Sequence, residues 1–117
     1  MEGCIFCGII AGAVPSEKVY EDELVVAVRD ISPRAPVHVL VMPKRHIASS
    51  AELEGTDEAL AGHMMLTAAR IASQEDIAGS GYRLVVNTGT DGAQSVMHLH
   101  MHLLGGRNLG IGMVEEV

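Results

Sequence analysis

Val96-Met97-His98-Leu99-His100-Met101-His102-Leu103-Leu104 sets three histidines at strict two-residue spacing, with an aliphatic or thioether side chain in each gap. In an extended chain successive side chains point to opposite sides. His98, His100 and His102 therefore line one face of a strand, and Met97, Leu99, Met101 and Leu103 line the other. A half-exposed strand also alternates polar with apolar residues, but here no Ser, Thr, Lys or Glu shares the polar face. Imidazole titrates near neutral pH and serves as nucleophile, acid, base or metal ligand, so imidazoles roughly 6–7 Å apart on a rigid strand make a reactive surface.

The rest of the chain supports one such surface. Its 117 residues suit a single domain over 1–117, long enough to bury roughly 65% of what the unfolded chain exposes. Eight Lys and Arg against 15 Asp and Glu give a net charge of −7 with no basic block, which argues against wrapping nucleic acid. The only aromatics are Phe6, Tyr20 and Tyr82, too few for base-stacking platforms. A small anionic ligand remains compatible, held by local N–H groups and histidines. No apolar run reaches the ~18 residues of a membrane span, and Met1-Glu2-Gly3 lacks the cationic start of a signal peptide. The expectation is a cytoplasmic protein without membrane contact.

From the N-terminus, Cys4-Ile5-Phe6-Cys7 precedes Gly8-Ile9-Ile10-Ala11-Gly12, a short helix. Two cysteines three apart make a poor structural disulfide. Three readings stay open for them: half of a zinc site completed by histidines, plain buried thiols, or a redox pair. Residues 17–30 read as a hairpin turning at Glu21-Asp22-Glu23, with the nearly all-apolar Leu24–Asp30 run as a central strand. The prolines of Ile31-Ser32-Pro33-Arg34-Ala35-Pro36 make a loop. Val37 to Met42 is the next strand; His38 opens it, far from the reactive row, and His46 stands at its exit after Pro43-Lys44-Arg45.

One long helix is expected from about Asp57 to Ile77, capped by Thr56, with Leu60, Met64, Thr67, Ala68, Ile71 and Ala72 as its packing stripe. His63 beside that stripe reads as structural. Tyr82–Asn87 forms another strand, and the small residues of Thr88-Gly89-Thr90-Asp91-Gly92-Ala93-Gln94-Ser95 let backbone N–H groups approach an anion before the histidines begin. These elements predict an α+β fold: an antiparallel sheet of about five strands, one long helix on one face, a short N-terminal helix, and histidines on the other face.

The sequence resembles the histidine triad family of nucleotide-binding proteins, in its nucleoside phosphoramidase branch. The likeness runs through Ile5-Phe6, Ile9-Ile10 and Pro15, Asp30 to His38, Pro43-Lys44-Arg45-His46, Val85-Val86-Asn87, Gly92 to Val96, and His98 to Arg107. It implies a homodimeric α+β protein that acts on the α-phosphate of a purine nucleotide or nucleotidyl conjugate. His100 would attack phosphorus and form a nucleotidyl-imidazole intermediate; His102 would contact the phosphate and manage protons. Ser95, Asn87 and N–H groups around Ala93 and Gln94 would hold the non-bridging oxygens. Asp30, with Ile31 beside it, would take the ribose, and Ile5, Phe6, Ile9, Val14 and Val28 would form the slot for the base. Relatives that keep the N-terminal Cys-x-x-Cys imply a closed structural zinc site of Cys4, Cys7, His46 and His98.

Three departures from the branch bear on substrate identity and leave the chemistry alone. Ala93 stands where Gly is common, Val28 replaces a commonly aromatic residue, and the tail after Arg107 lacks an aromatic and proline ending. The favoured expectation is a hydrolase of P–N bonds. The alternatives are a nucleotide-binding, zinc-stabilised interaction protein with incidental hydrolysis, and a dinucleoside polyphosphate hydrolase or nucleotidyltransferase. Related uridylyltransferases carry Gln at the third triad position, and His102 here favours water as acceptor.

Overall fold

The computed structural model describes residues 3–112; the remaining ends of the expected 1–117 domain lie outside the described residues. Five strands form one antiparallel sheet: β1 (Lys18–Glu21), β2 (Val25–Arg29), β3 (Val37–Pro43), β4 (Tyr82–Val85) and β5 (Met101–Gly105), in the order β1-β2-β3-β5-β4. Helix α1 (Ile5–Ile10) and helix α2 (Glu58–Gln74) complete the fold. The α+β expectation holds, with the long helix on one face and the short one on the other.

The core is split by the sheet, as period-two alternation requires. On one side Val25, Ala27, Val39, Val41, Met101 and Leu103 pack under Met64, Ala68, Ile71 and Ala72 of α2. On the other, Val26, Val28, Leu40 and Met42 meet Phe6 and Ile9 of α1. Strands β2 and β3 are buried on both faces, which explains the apolar runs Val25–Val28 and Val39–Met42 within them. The β3–β5 register sets Leu40 opposite His102 and His38 opposite Leu104, so the last triad histidine shares the α1 face.

Two expectations shift in detail. Thr56 does not cap α2; it lies in a 3₁₀ turn, Gly55–Asp57, and the Asp57 carboxylate accepts the Glu54 N–H (3.0 Å) and an Arg45 N–H (2.5 Å). The helix stops at Gln74, before Ile77, because Asp76 turns left-handed at φ 60° and Glu75 is drawn to Arg29 at 2.7 and 3.1 Å. His63 is structural: its Nε2 lies 2.6 Å from Asp22 Oδ2, tying α2 to the β1–β2 turn, where Tyr20 OH also donates to Asp22.

Strand β5 is shorter than the alternating pattern implies. It begins at Met101, leaving His98 and His100 ahead of the ladder. The partner strand ends at Pro43, which has no N–H to offer. The His98 ring and the Leu99 N–H replace the missing rungs, bonding Pro43 O (2.8 Å) and Ile47 O (2.7 Å). Among the described residues no helix is long and apolar enough to cross a membrane.

Candidate active site and metal centre

The three triad histidines share the α1 face but look into two different environments. Phe6 meets the rings of His98 and His100 edge-on at 5.9 and 4.9 Å, while His100 and His102 stand 5.1 Å apart. His98 Nδ1 lies 3.4 Å from Cys4 Sγ and 3.6 Å from Cys7 Sγ; His46 Nδ1 lies 3.3 Å from Cys7 Sγ. All four ligand atoms fall within 4.8 Å of one another. A tetrahedral zinc with Zn–S near ~2.3 Å and Zn–N near ~2.0–2.1 Å sets S···N edges at about 3.5 Å.

The donor set suits a metal in its protonation as well. His98 donates Nε2–H to Pro43 O, which leaves the Nδ1 lone pair facing the sulfurs. Burial and the neighbouring Cys4 sulfur raise the Cys7 thiol above its ordinary pKa, a penalty that coordination to a dication reverses. Burial lowers His98, favouring the neutral ligand form. Cys4, Cys7, His46 and His98 could therefore hold a metal ion.

The tautomer of His100 follows from one hydrogen bond. His100, 4% exposed, has Nδ1 2.7 Å from the His98 carbonyl. A carbonyl only accepts, so Nδ1 carries the proton and Nε2 keeps a free lone pair. His98 thus serves both ends, with its ring toward the cysteines and its backbone toward His100.

His102 is ordered by a residue that the sequence reading placed far away. Arg34 N–H donates to His38 Nδ1 at 3.1 Å, which puts the His38 proton on Nε2, and that nitrogen lies 2.9 Å from His102 Nδ1. His102 must then accept on Nδ1 and present Nε2–H as a donor. Burial lowers His38, and burial with the neighbouring charges of His100 and His38 pushes His102 down to about 4. Asp30, His38 and His102 have metal-binding proximity, but a His38 Nε2 that carries a proton offers no lone pair to a cation. The missed signal lay in parity. His38 is two residues from Leu40, and Leu40 pairs with His102, yet this pairing becomes visible only once the β3–β5 register is known.

A cleft of about 460 Å³ opens beside His102, walled by Asp30, Arg34, His38, Asn87, Ala93 and Ser95. Asp30 Oδ1 accepts the Ser32 N–H (2.8 Å), and Oδ2 lies 3.5 Å from His38 Nε2. Two expected phosphate donors are engaged elsewhere. The Ala93 N–H bonds Thr90 O and the Gln94 N–H bonds Gly89 O, because closing this turn, with Ala93 at φ 59°, consumes them. Gln94 braces the loop through Ala48 O, Val96 O and the Gly89 N–H. Asn87 holds Gly92 O at 2.8 Å and keeps a second N–H at the cleft, with Ser95 beside it.

The expected base slot is brought together only in part. Phe6, Ile9, Val14 and Val28 join one apolar cluster. Ile31 stands 92% exposed next to Asp30, and Ile5, 49% exposed, faces a different cavity with Met97. Helical phase causes the last difference, since the turn that buries Phe6 and Ile9 rotates Ile5 outward.

Comparison with known proteins matches this architecture. The HIT domain profile covers residues 11–109. The chain belongs to the HIT family. It is 50% identical over 109 residues to the purine nucleoside phosphoramidase of Escherichia coli K12, covering 93% of this chain and 92% of that one. A HIT family hydrolase from Clostridium thermocellum superposes with a TM-score of 0.93 at 44% identity, covering 97% of this chain and 99% of that one. A Zn-bound histidine triad family protein from Mycobacterium smegmatis gives 0.78 at 30% identity, covering 93% and 78%. This HIT protein is a hydrolase of that type.

Proposed function

We propose that this HIT hydrolase cleaves purine nucleoside phosphoramidates at the α-phosphate through a nucleotidyl-His100 intermediate. The observation that carries the reading is the His100 Nδ1–H donated to His98 O, because it frees Nε2 for attack on phosphorus. The P–N electron pair departs and, with a proton, gives the free amine. Water then attacks phosphorus, releases nucleoside monophosphate and regenerates His100. His102 Nε2–H donates toward the phosphoryl group and leaving nitrogen, while Ser95 and Asn87 meet charge on the non-bridging oxygens. Asp30 takes the ribose hydroxyls, and the cluster with Phe6, Ile9, Val14 and Val28 backs the base.

Zinc is the metal that Cys4, Cys7, His46 and His98 would hold, as two thiolates and two neutral imidazoles fit a closed tetrahedral site. When bound it supplies structural cross-linking, joining the α1 segment to His98 with no ligand position left for substrate. The enzyme acts as a cytoplasmic homodimer, with exposed Met65 and Leu66 on α2 and the open edge of β4 as the pairing surface.

Purified protein is offered adenosine and guanosine 5′-phosphoramidates, with nucleoside monophosphate read by mass spectrometry and mass by light scattering. Release of monophosphate, with a nucleotidyl adduct on His100 after rapid quench, is expected. Nucleotide binding without release from any phosphoramidate or nucleotidyl conjugate overturns the reading.

A further inference from the structure

Beside the phosphate cleft lies a second cavity of about 430 Å³, walled by the N-terminal turn at Gly3 to Ile5, by His46 and Ala48, and by Ser95 to Met97. Among the described residues, Ser95 is the one that lines both. The two cavities differ in chemistry. The first offers Asp30, Asn87 and His102; the second presents Ile5 and Met97, 49% and 53% exposed, together with Val96, Ala48, Cys4 and His46, and among the described residues no carboxylate, lysine or arginine lines it. Two large apolar side chains left half in water in the lining of one cavity are a surface that gains by being covered.

We infer that this second cavity is a leaving-group subsite selecting phosphoramidates whose amine carries an apolar substituent. The inference rests on the phosphoramidase reading and deepens it. In that reaction the nucleoside stays bonded to phosphorus while the amine departs on the side opposite the entering nucleophile, so the two extend from phosphorus in different directions. The polar cleft with Asp30 takes the ribose side. Ser95 stands where that cleft meets the apolar one, so a substituent on the nitrogen passes Ser95 into the space between Ile5 and Met97. Among the described residues nothing in the lining offers a charged substituent a counter-ion for its lost hydration, whereas an alkyl or aryl group would cover Ile5 and Met97.

The test is a series of adenosine 5′-phosphoramidates carrying the parent amine, methylamine, propylamine, pentylamine and a carboxylate-bearing amine of equal length. For wild type, kcat/KM should rise by roughly threefold to fourfold per methylene until the cavity fills, with the carboxylate far below its alkyl counterpart. Met97→Asp should flatten the rise and keep parent-amine turnover within about twofold, and Met97→Leu should restore it. A flat wild-type series, or a rise that Met97→Asp leaves intact, overturns the subsite while parent-amine turnover keeps the phosphoramidase reading. Absence of turnover across the whole series, parent amine included, removes both.

Discussion

The two ends of the histidine triad anchor the same side chain through opposite ring nitrogens. At the cysteine end, His98 is completely buried and directs Nδ1 at two sulfurs while a proline carbonyl holds its other nitrogen. At the other end, His100 and His102 have Nδ1 tied back to the protein, which leaves Nε2 as the nitrogen not used by that anchor. Which nitrogen is anchored decides which nitrogen an imidazole has left to offer, and in each case the anchor is a neighbouring group rather than the histidine itself. The two ends meet at the His98 peptide, so changes at each can be separated by what they do to metal and to turnover.

Removing His100, the proposed nucleophile, should have the largest effect. His100→Ala is expected to lose roughly 10⁴-fold or more in kcat while binding nucleotide and metal as before. Its ring lies outside the cysteine cluster, so metal content measured alongside should stay at the wild-type value. Activity within tenfold of wild type would place the nucleophile elsewhere.

Next comes the anchor of His102. His38→Phe removes the Nε2–H that holds His102 Nδ1 and leaves a similar volume on β3. About a 10²-fold fall in kcat is expected, with KM little changed, because the donor is lost from the reacting state rather than from ground-state binding. An unchanged kcat would mean that His102 keeps its orientation without His38. Metal content again should not move.

These two residues also mark what the sequence made legible. His100 stood out because two-residue alternation is local, and a triad is complete within five positions. The split core was legible for the same reason, through the runs of β2, β3 and α2. His38 was hidden because its partner is 64 positions away and depends on a ladder register that no local pattern encodes. Ala93 and Gln94 misled in the reverse direction. A glycine-rich loop looks like a set of free N–H groups until the turn's own hydrogen bonds are counted.

At the cysteine end the expected signature is inverted. Cys4→Ser with Cys7→Ser should abolish metal binding and lower Tm by roughly 10 °C, the scale of a ligand held at about 100 times its Kd in a domain near this size. Turnover should fall less than tenfold, since the His98 carbonyl that orients His100 is backbone and remains. Zinc assayed on untagged wild-type protein should be near one per chain. Metal-free wild type with the same Tm as the double variant would remove the metal from the account of stability.

The smallest effect is a pH slope, and its sign follows from burial. His102 titrates near 4 in the folded chain, because burial and then the charges of His100 and His38 oppose its protonation, against roughly 6.5 when unfolded. Between those values the unfolded chain binds the extra proton, so stability falls as pH drops from about 6.5 toward 4 and levels off below. His38 and His98 are lowered as well and add slope of the same sign. The carboxylates work in a separate window. For Asp22, burial opposes ionisation, but hydrogen bonds from Tyr20, the Val25 and Leu24 N–H groups and His63 outweigh it and hold the carboxyl well below its usual range. Its stabilisation is present above the unfolded value and disappears only in stronger acid. Chemical denaturation of wild type and His102→Gln across pH 7 to 3 separates the two. The variant should lose part of the slope above pH 4 and keep the acid limb below it, whereas parallel curves throughout would show that His102 is hydrated and carries no such penalty.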